Sequence, residues 1–197
     1  MLTHLRPAIT LTLGFTLLTG LAYPLAMTGI AQTLFPAAAN GSLITQGDTV
    51  LGSALIGQGF AAPGYLHPRP SASAWNAAGT GASNLGPTSA SLIATVAERR
   101  AAWEAENATP APIDAVTASG SGLDPDISVE TALGQVNRIA AARAADPAAV
   151  RALVEAQVQS PALGLYGEPR VNVLTTNLAL DAAFGMPPLA GEGAATE

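Results

Sequence analysis

The chain has 197 residues, no cysteine, and a formal charge of −6, and all eight of its basic residues are arginine. The missing cysteine excludes disulfide frameworks, thiolate metal sites and thiol nucleophiles. The missing lysine excludes a P-loop, and scattered arginines give no basic stripe to track a phosphate backbone. Only 11% of residues are charged and mean hydropathy is positive, a composition that points to membrane attachment or a large protein interface.

From Pro7 to Gly47 the sequence carries no charge, and Ala8 to Met27 reads AITLTLGFTLLTGLAYPLAM. As a helix this stretch spans about 30 Å, the thickness of a hydrocarbon core. Its threonines are tolerable because a helical threonine can bond a backbone carbonyl of its own helix. Gly14 and Gly20 would let a neighbouring helix approach, and Tyr23 suits the interface. Arg6 precedes the span and the next arginine is Arg69, so the positive-inside rule puts the N-terminus in the cytoplasm and the rest outside. A cleaved signal is the alternative, with Ala37-Ala38-Ala39 as the cleavage site. The apolar stretch is too long for a signal core, and the alanines lie too far beyond it.

Phe35 to Gly41 reads as the exit from the membrane, and Ser42 to Phe60 as one or two short strands. Ala61 to Pro87 is rich in Pro and Gly and has no period. Tyr65, Leu66 and Trp75 within it predict a packed, ordered loop. Thr88 to Asn107 is predicted helical, starting at Thr88 or Ser89, with Glu98, Arg99, Glu104 and Glu106 solvated. Asp114 to Thr117 is a candidate strand. Ser128 is the expected N-cap of a helix over Val129 to Ala145, and Asp146-Pro147 opens another to about Gln159. Val171, Val173 and Leu174 suggest a strand with Asn172 on its other face. The expected fold is α+β: a membrane anchor at 1–34 (span about 8–27), one extracytoplasmic domain at 35–184 with a small sheet and about three helices, and a disordered tail at 185–197.

Catalytic chemistry is poorly represented. His4 precedes the span and His67 follows it, so they cannot share a site in one chain, and no nucleophile elbow accompanies His67. His67 is therefore expected to be a loop or interface residue. Asp124 and Asp126 are expected to favour the N-terminus of the following helix through its dipole rather than to hold a cation. Ser119-Gly120-Ser121-Gly122 is either an anion-binding nest or a tight loop.

Seven stretches in order resemble the C subunit of Kdp-type potassium-transporting ATPases: LRPA at 5–8, ANGSLI at 39–44, GSALIGQGF at 52–60, HPRPSAS at 67–73, SNLGP at 83–87, VTASGSGLDPDIS at 116–128 and GEPRVNVLTTNLALD at 167–181. The sequence departs from the family at Leu66-His67, where an aromatic is common, and at Thr176-Asn177, where Leu-Asn is common.

The resemblance implies a non-catalytic accessory subunit of an ATP-driven potassium uptake complex in the cell inner membrane. Its partners would be a potassium-binding channel-like subunit and a P-type catalytic subunit, whose Asp-Lys-Thr-Gly motif this lysine-free chain lacks. It also attaches ATP to the role, as a "catalytic chaperone" assisting nucleotide binding by the catalytic subunit. An anchored extracytoplasmic enzyme and a nucleotide-binding module are the alternatives.

Under this resemblance, loops 67–87 and 119–126 are expected to contact the channel-like partner or to shape the domain for it. The first loop contributes Arg69, Pro70, Ser71, Asn84, Gly86 and Pro87. The second contributes Ser119, Gly120, Ser121, Gly122, Asp124 and Pro125, and the last motif adds Glu168, Arg170 and Asn172. Arg69 either forms fork-like bonds to the partner or, with Arg170, ties the domain's own loops together.

Intact-mass measurement on membrane-extracted protein is expected to find the apolar segment retained; a mature chain starting at Asn40 or Gly41 would remove the anchor.

Overall fold

A computed structural model describes residues 2–187 and divides the chain into two compact units, Met1–Ser53 and Ala54–Glu197. The expected tail at 185–197 lies outside the described residues from 188 onward.

The first unit is built on helix α1, Leu5–Leu34. Its 30 residues make about 45 Å, more than a hydrocarbon core requires, so by length and composition it can cross a membrane with tilt or overhang. Thr19 Oγ1 donates to the Phe15 carbonyl at 2.6 Å and Thr33 Oγ1 to that of Gly29 at 2.7 Å, the self-satisfaction expected of threonine in such a helix. Leu18–Ala22 widens to a π-turn, in which the Tyr23 N–H reaches back to Leu18. Pro24 follows directly: it has no N–H and its ring crowds the carbonyl of Gly20 four residues back, a conflict that a widened turn relieves.

After a single helical turn at Pro36–Ala39 comes an antiparallel hairpin, β1 (Leu43–Gln46) and β2 (Thr49–Ser53). Gly47, at φ 59°, opens its two-residue turn, where a left-handed residue is required.

In the second unit no helix or strand interrupts residues 54–89. Helix α2, Ala90–Asn107, is capped by Ser89, whose Oγ accepts from the Leu92 N–H. Then follow β3 (Asp126–Ser128), α3 (Val129–Gly134), α4 (Val136–Ala142), α5 (Pro147–Ala156), β4 (Val158–Gln159), β5 (Arg170–Asn172) and α6 (Val173–Phe184). The strands form an antiparallel sheet of order β3-β5-β4. Its inner residues Ile127 and Val171 meet Val136, Ile139, Val150, Val154 and Leu180 from the helices in one core.

The α+β class, the apolar N-terminal helix and the small sheet match expectation, but four local assignments differ. Asp114 to Thr117 is no strand: Ile113–Val116 forms one helical turn, with the Thr117 N–H bonded to the Ile113 carbonyl. Val173 and Leu174 belong to α6, because Asn172 ends the strand by capping a helix, its Oδ1 accepting from Thr175 N–H at 3.1 Å. The helix expected over 129–145 breaks at Gln135 and ends at Ala142. Trp103 lies over Gly134, where a Cβ would come within 2.9 Å of the indole. The Gln135 side chain turns inward to bond the His67 backbone. Glu106 is not merely solvated: it pairs with Arg138 at 3.3 Å and His67 at 3.2 Å.

The long loop is ordered, as its aromatic content predicts. Leu66 is fully buried, its N–H donating to Asn177 Oδ1 at 2.7 Å and its carbonyl accepting from Asn177 Nδ2 at 3.1 Å. Gln135 treats His67 the same way, at 2.7 and 3.2 Å. Arg138 donates to the carbonyls of Pro63 and Tyr65, and Arg143 to that of Gly64.

Asn177→Leu keeps the branched side-chain shape but strands two buried backbone groups. It is expected to destabilise the full-length chain by about 2–4 kcal/mol in chemical denaturation; a loss under about 0.5 kcal/mol would deny the clamp its importance.

Candidate functional site

A cleft in the second unit, about 320 Å³, brings together four of the candidate residues, Arg69, Asp124, Glu168 and Arg170. Strand β3 supplies Asp126, Ile127 and Ser128, the entry to β5 supplies Glu168, Pro169 and Arg170, the long loop supplies Arg69, and Asp114 and Asp124 complete the lining.

Antiparallel pairing sets Ser128 opposite Arg170 and Asp126 opposite Asn172. Arg170 therefore reaches diagonally, and its Nε sits 2.8 Å from Asp126 Oδ2. Asn172 Nδ2 donates to the same carboxylate, at Oδ1, and to the Ala54 carbonyl. Arg69 Nη1 donates to Asp124 Oδ2 at 2.8 Å, while Asp124 Oδ1 accepts from Asp126 N–H. The two aspartates thus serve the arginines rather than the helix dipole, correcting the sequence expectation.

The carboxylate that bonds the start of α3 is Asp114, which sequence reasoning missed. It accepts from Ser128 N–H at 2.7 Å, Ser128 Oγ at 2.8 Å and Thr131 Oγ1 at 2.6 Å. Ser128 Oγ meanwhile accepts from Thr131 N–H, the cap foreseen from sequence. Asp114 stands fourteen residues before Ser128 in the chain, so no local motif announces it.

Behind the cleft the two candidate loops are sewn together. Ser119 N–H donates to Pro70 O, Gly81 N–H to Ser121 O, and Ser71 Oγ to Gly122 O. Gly122 must be glycine: φ is 71°, and a Cβ would lie 2.4 Å from Ser73 Oγ and 2.8 Å from Gly81 O. Ser119 Oγ accepts from the N–H groups of Ser121 and Gly122, and Ser121 Oγ from that of Leu123. The loop leads into β3 rather than a helix, and its amides are spent on its own serines. The residues do not fit a nucleotide phosphate.

Pro125 accepts from Val173 N–H through its carbonyl, and Gly120 is exposed. Asn84, Gly86 and Pro87 lie away from the cleft, exposed ahead of α2, where Pro87 flanks a separate groove with Leu92, Ile93 and Val96. Among the described residues no cluster of three or more His, Asp or Glu is placed to hold a metal.

His67 lies outside the cleft. Its Nε2 faces Ala62 O at 3.1 Å and its Nδ1 faces Glu106 Oε1 at 3.2 Å. Two facing oxygens favour the imidazolium. Burial, and then the nearby Arg138 guanidinium, outweigh them and hold the ring's pKa below the ordinary 6.5. Burial likewise raises Tyr65, with Asp181 acting in the same direction.

The family model for the K+-transporting ATPase c chain, KdpC, matches residues 5–182. The chain belongs to this family. It is 67% identical to the potassium-transporting ATPase KdpC subunit of Cereibacter sphaeroides over 93% of this chain and 99% of the relative. Identity is 58% to the KdpC subunit of Allorhizobium ampelinum, over 93% of this chain and 98% of that one. It is 55% to that of Caulobacter vibrioides, over 98% of both. The resemblance carried by the seven stretches is thus confirmed, and membership makes the chain a potassium-transport subunit of a Kdp ATPase. The cleft formed by Arg69, Asp124, Asp126 and Arg170 is a feature of this KdpC-family chain's own packing.

The depressed His67 sets a sign for pH dependence. As pH falls below 6.5, the unfolded chain takes up a proton that the folded protein refuses, so stability drops until the folded pKa is reached. Thermal melts of the detergent-solubilised chain between pH 7 and 5 are expected to show a steeper loss for wild type than for His67→Gln; equal slopes would refute the assignment.

Proposed function

We propose that the chain is a non-catalytic, single-span accessory subunit of its ATPase, with the N-terminus cytoplasmic and the residues after the span extracytoplasmic, in the cell inner membrane. Its partners are the potassium-binding channel-like subunit and the P-type catalytic subunit, whose assembly it supports. The observation that carries this reading is the inward use of polar chemistry. Asp114, Asp124, Asp126, Arg69 and Arg170 at the cleft are engaged with each other or with the backbone, and the Ser128 hydroxyl proton points to Asp114. Ser128 Oγ is held as a helix cap, accepting from Thr131 N–H while it donates to Asp114, and Asp114 is itself shared with Thr131 Oγ1 and the Ser128 N–H.

The chain assists ATP use indirectly. Its interactions with the partners favour conformations of the catalytic subunit that bind nucleotide, a linkage that needs no phosphate site here. The spent amides of Ser121, Gly122 and Leu123 support this indirect route.

The cysteine-free sequence permits a direct test. Arg100→Cys, on the exposed flank of α2, is expected to react with an impermeant maleimide only from outside the cell, and the labelled chain to co-purify with both partners. Labelling from the cytoplasmic side alone, or recovery without a P-type subunit, would overturn the proposal.

A further inference from the structure

The sequence contains one Asn-Gly pair, Asn40-Gly41, and it stands where the apolar helix α1 hands the chain to the β1–β2 hairpin. Glycine after asparagine leaves the carboxamide open to attack, because no Cβ keeps the glycine nitrogen from the preceding side chain. Both residues are exposed, so water reaches the junction. The fold nevertheless calls for each of them. Gly41 turns the chain at φ 84°, a conformation that glycine alone adopts freely. Asn40 closes a reciprocal carboxamide clasp with Gln32: its Nδ2 donates to Gln32 Oε1 at 3.0 Å, and Gln32 Nε2 donates to its Oδ1 at 3.2 Å. Asn40 Nδ2 also donates to the Pro36 carbonyl at 2.7 Å. The next peptide is pinned as well. Gly41 N–H donates to Ala38 O at 3.1 Å, and Ser53 Oγ, at the end of β2, donates to Gly41 O at 2.7 Å.

We propose that Asn40 is a deamidation site held in check by the Gln32 clasp, and that its conversion releases the joint between α1 and the hairpin. The inference does not rest on the assembly reading above. In the reaction the Gly41 nitrogen gives up its proton and bonds Asn40 Cγ, the Cγ–Nδ2 bond breaks, and Nδ2 leaves as ammonia. Water then opens the cyclic imide at one carbonyl or the other, giving aspartate or isoaspartate at position 40. Before attack, the Gly41 N–H must leave Ala38 O and the carboxamide must turn out of three hydrogen bonds, so the native joint slows its own modification. The products cannot rebuild the clasp. A carboxylate only accepts, so the Pro36 carbonyl loses its side-chain donor, and a flipped Gln32 still leaves one oxygen facing another. Isoaspartate also adds a methylene to the backbone, which displaces Gly41 from Ala38 and Ser53. Either product puts a negative charge into the run from Pro7 to Gly47, which carries none.

The test uses the full-length chain in detergent, aged at mildly alkaline pH and followed by peptide mass mapping. Gln32→Ala changes an exposed helix position to the residue helices favour most. Its Asn40 is expected to convert roughly five- to tenfold faster than in wild type, the effect of removing one or two net hydrogen bonds. Asn40→Asp reproduces one product directly. In hydrogen exchange it is expected to lose protection at the Gly41 and Ser42 amides, which bond Ala38 and Ala37 in the native joint. Equal conversion rates in wild type and Gln32→Ala overturn the proposal, as does intact Asn40 in both. Unchanged protection in Asn40→Asp overturns the release of the joint.

Discussion

The second unit depends on a buried passage of irregular backbone. Pro63 to His67 belongs to no strand or helix, passes from exposed Pro63 to buried Gly64 and Leu66 with Tyr65 and His67 half-buried, and its inward polar groups must still find partners. The partners are sorted by chemistry. At Pro63, Gly64 and Tyr65 the groups needing side chains are carbonyls: proline has no N–H, and Tyr65 N–H is taken by Ala62 O. Guanidinium groups, which only donate, serve these three from Arg138 and Arg143. At Leu66 and His67 both N–H and C=O face inward, and both are met by carboxamides, which donate and accept, from Asn177 and Gln135. Each amide stands in for a neighbouring strand.

Burying two arginines for this purpose has a desolvation cost, which the surroundings offset. Arg143 pairs with Asp181 at 2.8 Å and lies over the Tyr65 ring at 5.0 Å. Arg138 shares Glu106 with His67, its Nε also donating to Asn107 Oδ1 and its Nη2 to Gln135 Oε1. Deleting one member would leave a buried charge uncompensated, so the network ties α2, α4 and α6 to one loop conformation. The cleft repeats the device nearer the surface, where Asp124 and Asp126 each hold an arginine from a different stretch of chain. These half-exposed pairs add less energy than register.

What could be read from sequence was what is local. Ser89, Ser128 and Asp146 announced their helices because a cap acts within three residues. The apolar helix was legible for the same reason, and Tyr65 and Leu66 correctly marked the long loop as packed. The capping signal at Asn172 is also local, but the alternation of Val171 and Val173 masks it and makes the first two residues of α6, Val173 and Leu174, look like continued strand. The roles of Glu106, Asp114, Asp124 and Asp126 are out of reach of local patterns, since the partners that define them stand fourteen to fifty-five residues away. A carboxylate followed by a helix looks the same whether it serves the dipole or a distant guanidinium. Gln135 interrupts its helix for a contact 68 residues distant, which no periodicity encodes.

This economy bears on how such a domain can influence a pump. A bound subunit shifts a conformational equilibrium only by interacting differently with the states. Among the described residues, five of the eight arginines are committed to ion pairs within the chain, and Arg99 bonds the Val116 carbonyl. Little unpaired positive charge remains with which to distinguish the states of a partner, and the loops that carry the family's motifs are fastened to one another.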